Sequence, residues 1–220
     1  KATPSNAPSG DLIYESFAGV SWACANGANV VSMSFGGTNN SAAFQNLIDA
    51  YPSVVFVAAA GNDNDGNTLQ YPGAYNNVIC VGSVNGNNSG SSFTNYNGSV
   101  TYVDIAAPGG GAGSSSFGGL LSTTYNGGSS YGTMSGTSMA CPFAAGLIGN
   151  MLSINPTMTP AQIENCLITT GVATSGAKDM GPRIDAVAAL NCVMATVNGD
   201  PMVSFVGAPV SIFEGQTVSF

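Results

Sequence analysis

The stretch SGTSMACPFAAGLIGNMLS, residues 135–153, carries no charge and opens with small residues before a long apolar run. Met139, Ala140, Phe143, Ala144, Leu147, Ile148 and Met151 fall at helical spacing, so the segment predicts a core helix. Working outward, apolar runs bounded by turn residues predict strands at Val30–Phe35, Val54–Ala60, Val78–Val84 and Val100–Ala106. Helical patterns fall at Leu12–Asn26, Ser41–Ala50, from Thr159 onward and at Ile184–Leu190. Ser41 and Thr159 have the chemistry of N-caps, and Pro160 suits a first helical position. Strands that are apolar throughout, alternating with helices, predict an α/β fold of three layers with a mainly parallel sheet between helices.

Of 220 residues, 44% are hydrophobic and only 6% charged, against about 25% charged in an average soluble chain. Net charge is −8, with Lys1, Lys178 and Arg183 the sole cations. Such a chain cannot track phosphates, so no nucleic-acid partner is expected, and anionic lipid would repel it. No membrane insertion is expected either, and no signal-peptide pattern opens at Lys1. Five cysteines form no metal spacing. Cys80 and Cys141 sit in apolar contexts, and Cys166 with Cys192 is the pair favoured for a disulfide. After Cys192, residues 193–201 suggest a linker, and 202–220 alternate like the first strands of a β-sandwich.

Two segments carry chemistry. Ser138 begins the predicted core helix, where free backbone N–H groups and the positive end of the dipole suit a nucleophile and an oxyanion. Asn62 follows Ala59-Ala60-Gly61 at the tip of a strand, and its amide is a candidate second donor to the same oxyanion. The bland alternatives are an N-cap serine and a turn asparagine. Asp63 and Asp65 suit a solvated turn better than a Ca²⁺ loop, because no distal Glu follows.

Gly136-Thr137-Ser138-Met139-Ala140-Cys141-Pro142 resembles the nucleophile signature of the subtilisin (S8) family. In order around it stand Trp22-Ala23, Val31 to Gly37, Ala59-Ala60-Gly61-Asn62, Tyr71-Pro72-Gly73, Val78 to Gly82, Phe93-Thr94-Asn95-Tyr96 and Val103 to Gly109. The likeness runs from about Tyr14 to Leu190, making residues 1–192 part of a peptidase catalytic domain. It implies Ser138 as nucleophile and Asn62 as oxyanion donor. It implies Ser34, Phe35 and Gly36 as the strand that pairs with substrate, and Ala59, Ala60 and Gly61 as a pocket wall accepting apolar side chains. A cis peptide is implied at Tyr71-Pro72, a surface or sheet-end position rather than a catalytic one for Asp104, and structural roles for Phe143 and Asp185. The terminal strands resemble the start of a PKD-like module.

The family's partners are protein or peptide substrates, and its members are secreted; a monomer is expected. No redox or organic cofactor is implied; structural Ca²⁺ is common in the family, but no ligands for it are identifiable. The family's base is a histidine oriented by an aspartate, and this sequence has no histidine. The resemblance therefore places both groups outside these residues, with the chain alone inactive. The rival is a non-catalytic peptide-binding or adhesion protein on the same fold, which retention of both Ser138 and Asn62 disfavours.

Overall fold

A computed structural model describes residues 15–111, 118–124 and 130–198. The strands expected at 202–220 lie outside the described residues. The described chain runs α1 (Ser16–Ala25), β1 (Val30–Met33), α2 (Ala42–Asp49), β2 (Val55–Ala59), β3 (Val78–Val84) and β4 (Ile105–Pro108). There follow β5 (Leu120–Thr124), β6 (Ser130–Met134), α3 (Thr137–Ile154), α4 (Pro160–Thr170) and α5 (Ala186–Asn198).

Strands β1 to β4 form a parallel sheet in sequence order, and β5 with β6 an antiparallel hairpin. The sheet is covered on both faces, and β2 shows why its strands are apolar throughout. Val55, Val57 and Ala59 face α3, whereas Phe56 and Ala58 face the layer of α1 and α2. Two-residue alternation sends successive side chains to opposite cores, so a continuous apolar run is what a central strand requires. Helix α3 has the length and apolarity of a membrane span. Its Ala140, Ala144, Ile148 and Met151 are instead packed against the sheet. Helix α4 opens with a capping box, in which Thr159 and Gln162 each serve the other's backbone. Ser41 caps α2 by accepting from Phe44 N.

The structure departs from the sequence-based expectation in three places. The strand expected at Val100–Ala106 forms only from Ile105 to Pro108. The side-chain carbonyl of Asn97 takes the amides of Tyr102 and Val103, each at 2.9 Å, and withdraws them from the ladder. The β5–β6 hairpin has no counterpart among the expected strands, because its Ser, Thr and Gly content hides the alternation. Helix α5 continues to Asn198, so 193–198, expected as linker, are helical; Val193 is fully buried in the core beneath. Asp104 stands at the sheet end, immediately before β4, where its Oδ2 accepts from Cys80 N at 2.7 Å. Asp185 is structural, accepting at 3.0 Å from Ala188 N in the first turn of α5.

The Tyr71-Pro72 peptide is cis. Cys166 of α4 and Cys192 of α5 are joined by a disulfide, and Cys24, Cys80 and Cys141 are buried free thiols.

The disulfide spans a separation of 26 residues. Replacing both cysteines by serine is expected to lower stability by about 3 kcal/mol through loop entropy, read as an earlier urea midpoint. Burial pushes the Asp104 carboxyl up to about 7, against the pull of the Cys80 amide and with help from the negative Glu164. The folded chain therefore holds this proton after the unfolded chain has released it. Stability should fall as pH rises from the ordinary carboxylate range to about 7, and stay low above that. Asp104→Asn should gain on the order of 2 kcal/mol at pH 8 and almost nothing at pH 4, measured by denaturant titration at each pH.

Candidate active site

The C-terminal tips of β1 and β2 and the first turn of α3 meet at one cleft of about 240 Å³. It is lined by Ser34, Phe35 and Gly36 after β1, Ala59, Gly61, Asn62 and Asp63 after β2, Gln70, and Thr137 and Ser138 of α3. Ligands in open parallel sheets bind at this end of the strands, where loops diverge. Of the eight residues singled out from sequence, seven line the cleft; Ala60 does not. Its side chain is fully buried with Cys80, Tyr102 and Met180, one position out of phase with Ala59 and Gly61.

Ser138 occupies the second position of α3, where the backbone N–H has no helical acceptor. Its hydroxyl donates weakly to Ser34 O at 3.3 Å, and Ser34 Oγ donates to Ser138 O at 2.9 Å. These crossed bonds tie the segment after β1 to the helix mouth. A backbone carbonyl cannot take a proton, so neither bond activates the hydroxyl.

Asn62 is held by its oxygen. Oδ1 accepts from Thr137 N at 2.9 Å and from Thr137 Oγ1 at 3.0 Å. The same Thr137 hydroxyl accepts from Gly61 N at 3.2 Å. With the amide oxygen committed, Nδ2 must point the other way, toward the cleft. A methyl group built on Gly136 would stand 3.6 Å from Ser138 N and 3.7 Å from Asn62 Nδ2, so both donors border one small space. Thr137 is the functional residue that sequence reasoning misses, although it immediately precedes Ser138 in the same motif. Its signal is a β-branched hydroxyl at a helix's first position, which ordinarily means a local cap rather than a clamp on a distant loop.

Gly36 has no backbone hydrogen bond among the described residues, while Gly37 exchanges two with Tyr71 at 2.9 and 2.8 Å. The chain after β1 thus offers an open edge at 34–36 and a closed one just beyond. A second cleft of about 650 Å³ begins at Ser138 and runs along Met139, Phe143 and Leu147 of α3 beneath the β5–β6 hairpin. Phe143 is half exposed there. Among the described residues, no three His, Cys, Asp or Glu side chains converge as metal ligands.

A family model described as "Subtilase family" matches residues 6–202 of this chain, a span that includes every residue lining the cleft. The chain belongs to the subtilase family. This subtilase is 36% identical over 180 residues to an extracellular protease of Xanthomonas campestris pv. campestris, covering 80% of this chain and 30% of that protein. It is 37% identical over 157 residues to subtilisin DY of Bacillus licheniformis, covering 69% and 53%. Among solved structures, proteases from Pseudoalteromonas arctica PAMC 21717 superpose with a TM-score of 0.71 at 36% identity, covering 84% of this chain and 60% of that one. A cold-adapted subtilisin-like serine proteinase gives 0.64 at 30% identity, covering 76% and 59%. The subtilase sequence thus spans between about a third and a little over half of the curated relatives' length.

Thr137→Val keeps the shape of the side chain and removes its hydroxyl. It should cost the subtilase roughly 1–2 kcal/mol, because Gly61 N loses its acceptor and Asn62 Oδ1 loses one donor. The Asn62 side-chain amide resonances should broaden at the same time, which ¹⁵N NMR of labelled protein would detect.

Proposed function

We propose that this protein is a serine endopeptidase that hydrolyses peptide bonds through an acyl-enzyme on Ser138. The observation that carries the reading is that Ser138 and Asn62 line one open cleft, with two unengaged N–H donors, Ser138 N and Asn62 Nδ2, bordering the same space over Gly136. Hydroxyl attack on a carbonyl produces a tetrahedral oxyanion, and two donors fixed beforehand stabilise it without reorganisation.

The expected substrate is a protein or peptide chain lying extended along Ser34, Phe35 and Gly36 and pairing with that open edge by β-augmentation. Its side chain beside the scissile bond enters between Ala59 and Gly61 on one wall and Gln70 on the other. Ser138 attacks the carbonyl carbon, and its proton passes to a general-base histidine, then on to the leaving amine. With no histidine in these 220 residues, that base and its orienting aspartate come from outside them. The large apolar cleft starting at Ser138 is where a segment bearing the base would approach. The likeness to an extracellular protease supports secretion. A monomer is the simplest working state, with Ca²⁺ in a structural role only. Residues 202–220 are read as the start of an appended β-sandwich module.

Full-length protein treated with a fluorophosphonate probe should be labelled on Ser138, and Ser138→Ala should not react. Labelling that survives the substitution, or falls on another residue, overturns the assignment.

A further inference from the structure

Asn95 lies outside the cleft, fully buried, and spends its polar atoms on the loop that carries Asn62. Its backbone N–H donates to Gly61 O at 3.1 Å. Its side-chain Nδ2 donates to Ala60 O at 3.0 Å. Oδ1 accepts from Asp63 N at 2.9 Å and from Asp65 N at 3.1 Å. Asn62 is thus flanked on both sides by residues tied to this one side chain. Strand β2 stops at Ala59. Ala60 still has partners besides Asn95, its N–H donating to Val81 O at 3.1 Å and its carbonyl accepting from Tyr102 Oη at 2.9 Å. From Gly61 onward Asn95 supplies the partners of Gly61 O and of the Asp63 and Asp65 amides. Gly61 completes the fit: its φ is +105°, and a Cβ there would collide with Asn95 Nδ2.

Asn95 is itself firmly mounted. Thr94 Oγ1 accepts from Ser83 N at 2.9 Å and donates to Asn95 O at 3.0 Å. Lys178 Nζ donates to the carbonyls of Ser91 and Ser92 at 2.7 and 2.9 Å, and lies 5.6 Å from the centre of the Tyr96 ring. Only an asparagine offers a donor to Ala60 O and an acceptor to two amides at this reach. Aspartate lacks the donor, serine is too short, and alanine offers neither.

We infer that Asn95 is a positioning residue for the oxyanion donor: it fixes the backbone of the 60–65 loop while Thr137 fixes the Asn62 side chain. This rests on the peptidase reading above. A displacement of about 1 Å at a catalytic group can cost on the order of a hundredfold, so grip on the backbone matters as much as grip on the amide.

The test uses full-length protein and two ligands: the boronic-acid analogue of acetyl-tetraalanine, and acetyl-tetraalanine amide. The boronic acid adds the Ser138 oxygen to boron, releases one proton to solvent and leaves a tetrahedral anion needing the donors; the amide needs none. Asn95→Ala should weaken boronate binding by about tenfold or more and amide binding by less than about twofold. The double variant Asn62→Ala/Asn95→Ala should lose no more than Asn62→Ala alone, since both act through one donor. Equal losses for the two ligands, or losses that multiply in the double variant, overturn the inference. Should Asn95→Ala fail to fold, Asn95→Asp decides. Lacking the donor to Ala60 O, it should lose boronate affinity by several-fold at pH 8 while amide affinity changes by less than about twofold. Equal losses for the two ligands overturn the inference. If boron-11 NMR and mass spectrometry show no wild-type adduct on Ser138, the peptidase reading fails first and this inference with it.

Discussion

The bond from which the site is built is the pair of donors that Thr137 presents to the Asn62 carbonyl oxygen, at 2.9 and 3.0 Å. An asparagine amide has two ends with opposite hydrogen-bonding character, and an exposed one would rotate freely. Occupying the oxygen twice settles the rotamer and leaves the nitrogen facing the cleft. The same contact joins the tip of β2 to the first turn of α3, so the orientation of one amide and the docking of helix on sheet are a single event. Everything nearby, including the crossed Ser34–Ser138 bonds, presupposes that docking.

Packing explains why the docking is rigid. Helix α3 lies on the sheet through Ala140, Cys141 and Ala144 in its first half, so its axis comes close to the strands before Leu147, Ile148 and Met151 fill the rear. The sheet face beneath is made of small or β-branched residues, Val55, Val57, Ala59, Ile79, Val81, Ile105 and Ala107, while larger ones such as Met33 and Phe56 enter the core on the other face. Cys141, fully buried, sits between Ser32 and the Val57 carbonyl at 3.4 and 3.5 Å, acting there as a small apolar filler with weak polar contacts. Burial pushes its thiol up, so it stays protonated and inert beside the site.

With three cations in the chain, the loops behind the site are held by neutral groups and one ammonium, that of Lys178. Ser83, Ser91, Thr94 and Asn95 are all fully buried, and each is hydrogen-bonded. Buried polar groups are tolerable when satisfied, and a satisfied network is directional in a way that apolar packing is not. Lys178 enters this network as a donor to backbone carbonyls. Its burial lowers its pKa, yet the carbonyls of Ser91, Ser92 and Thr94 give its ammonium protons somewhere to go.

What the sequence determined alone was whatever rests on local pattern. Apolar runs marked β1, β2 and β3, the uncharged stretch at 135–153 marked α3, and caps at Ser41 and Thr159 marked two helix starts. The motif around Ser138 and the segment ending at Asn62 named the two residues on which the site is centred. What only the tertiary structure decided is everything that depends on a side chain bonding far along the chain. Asn97 diverts Tyr102 and Val103 from a strand their β-propensity favours; α5 runs on because its far turns find a core. Ala60 turns away from the cleft while its neighbours line it. Thr137 and Asn95, separated from Asn62 by 75 and 33 positions, read as a cap and a loop residue until folding brings them beside it. Hydrogen bonds formed across such distances leave no periodicity in a sequence, whereas burial on one face of a helix or strand repeats every few residues and does.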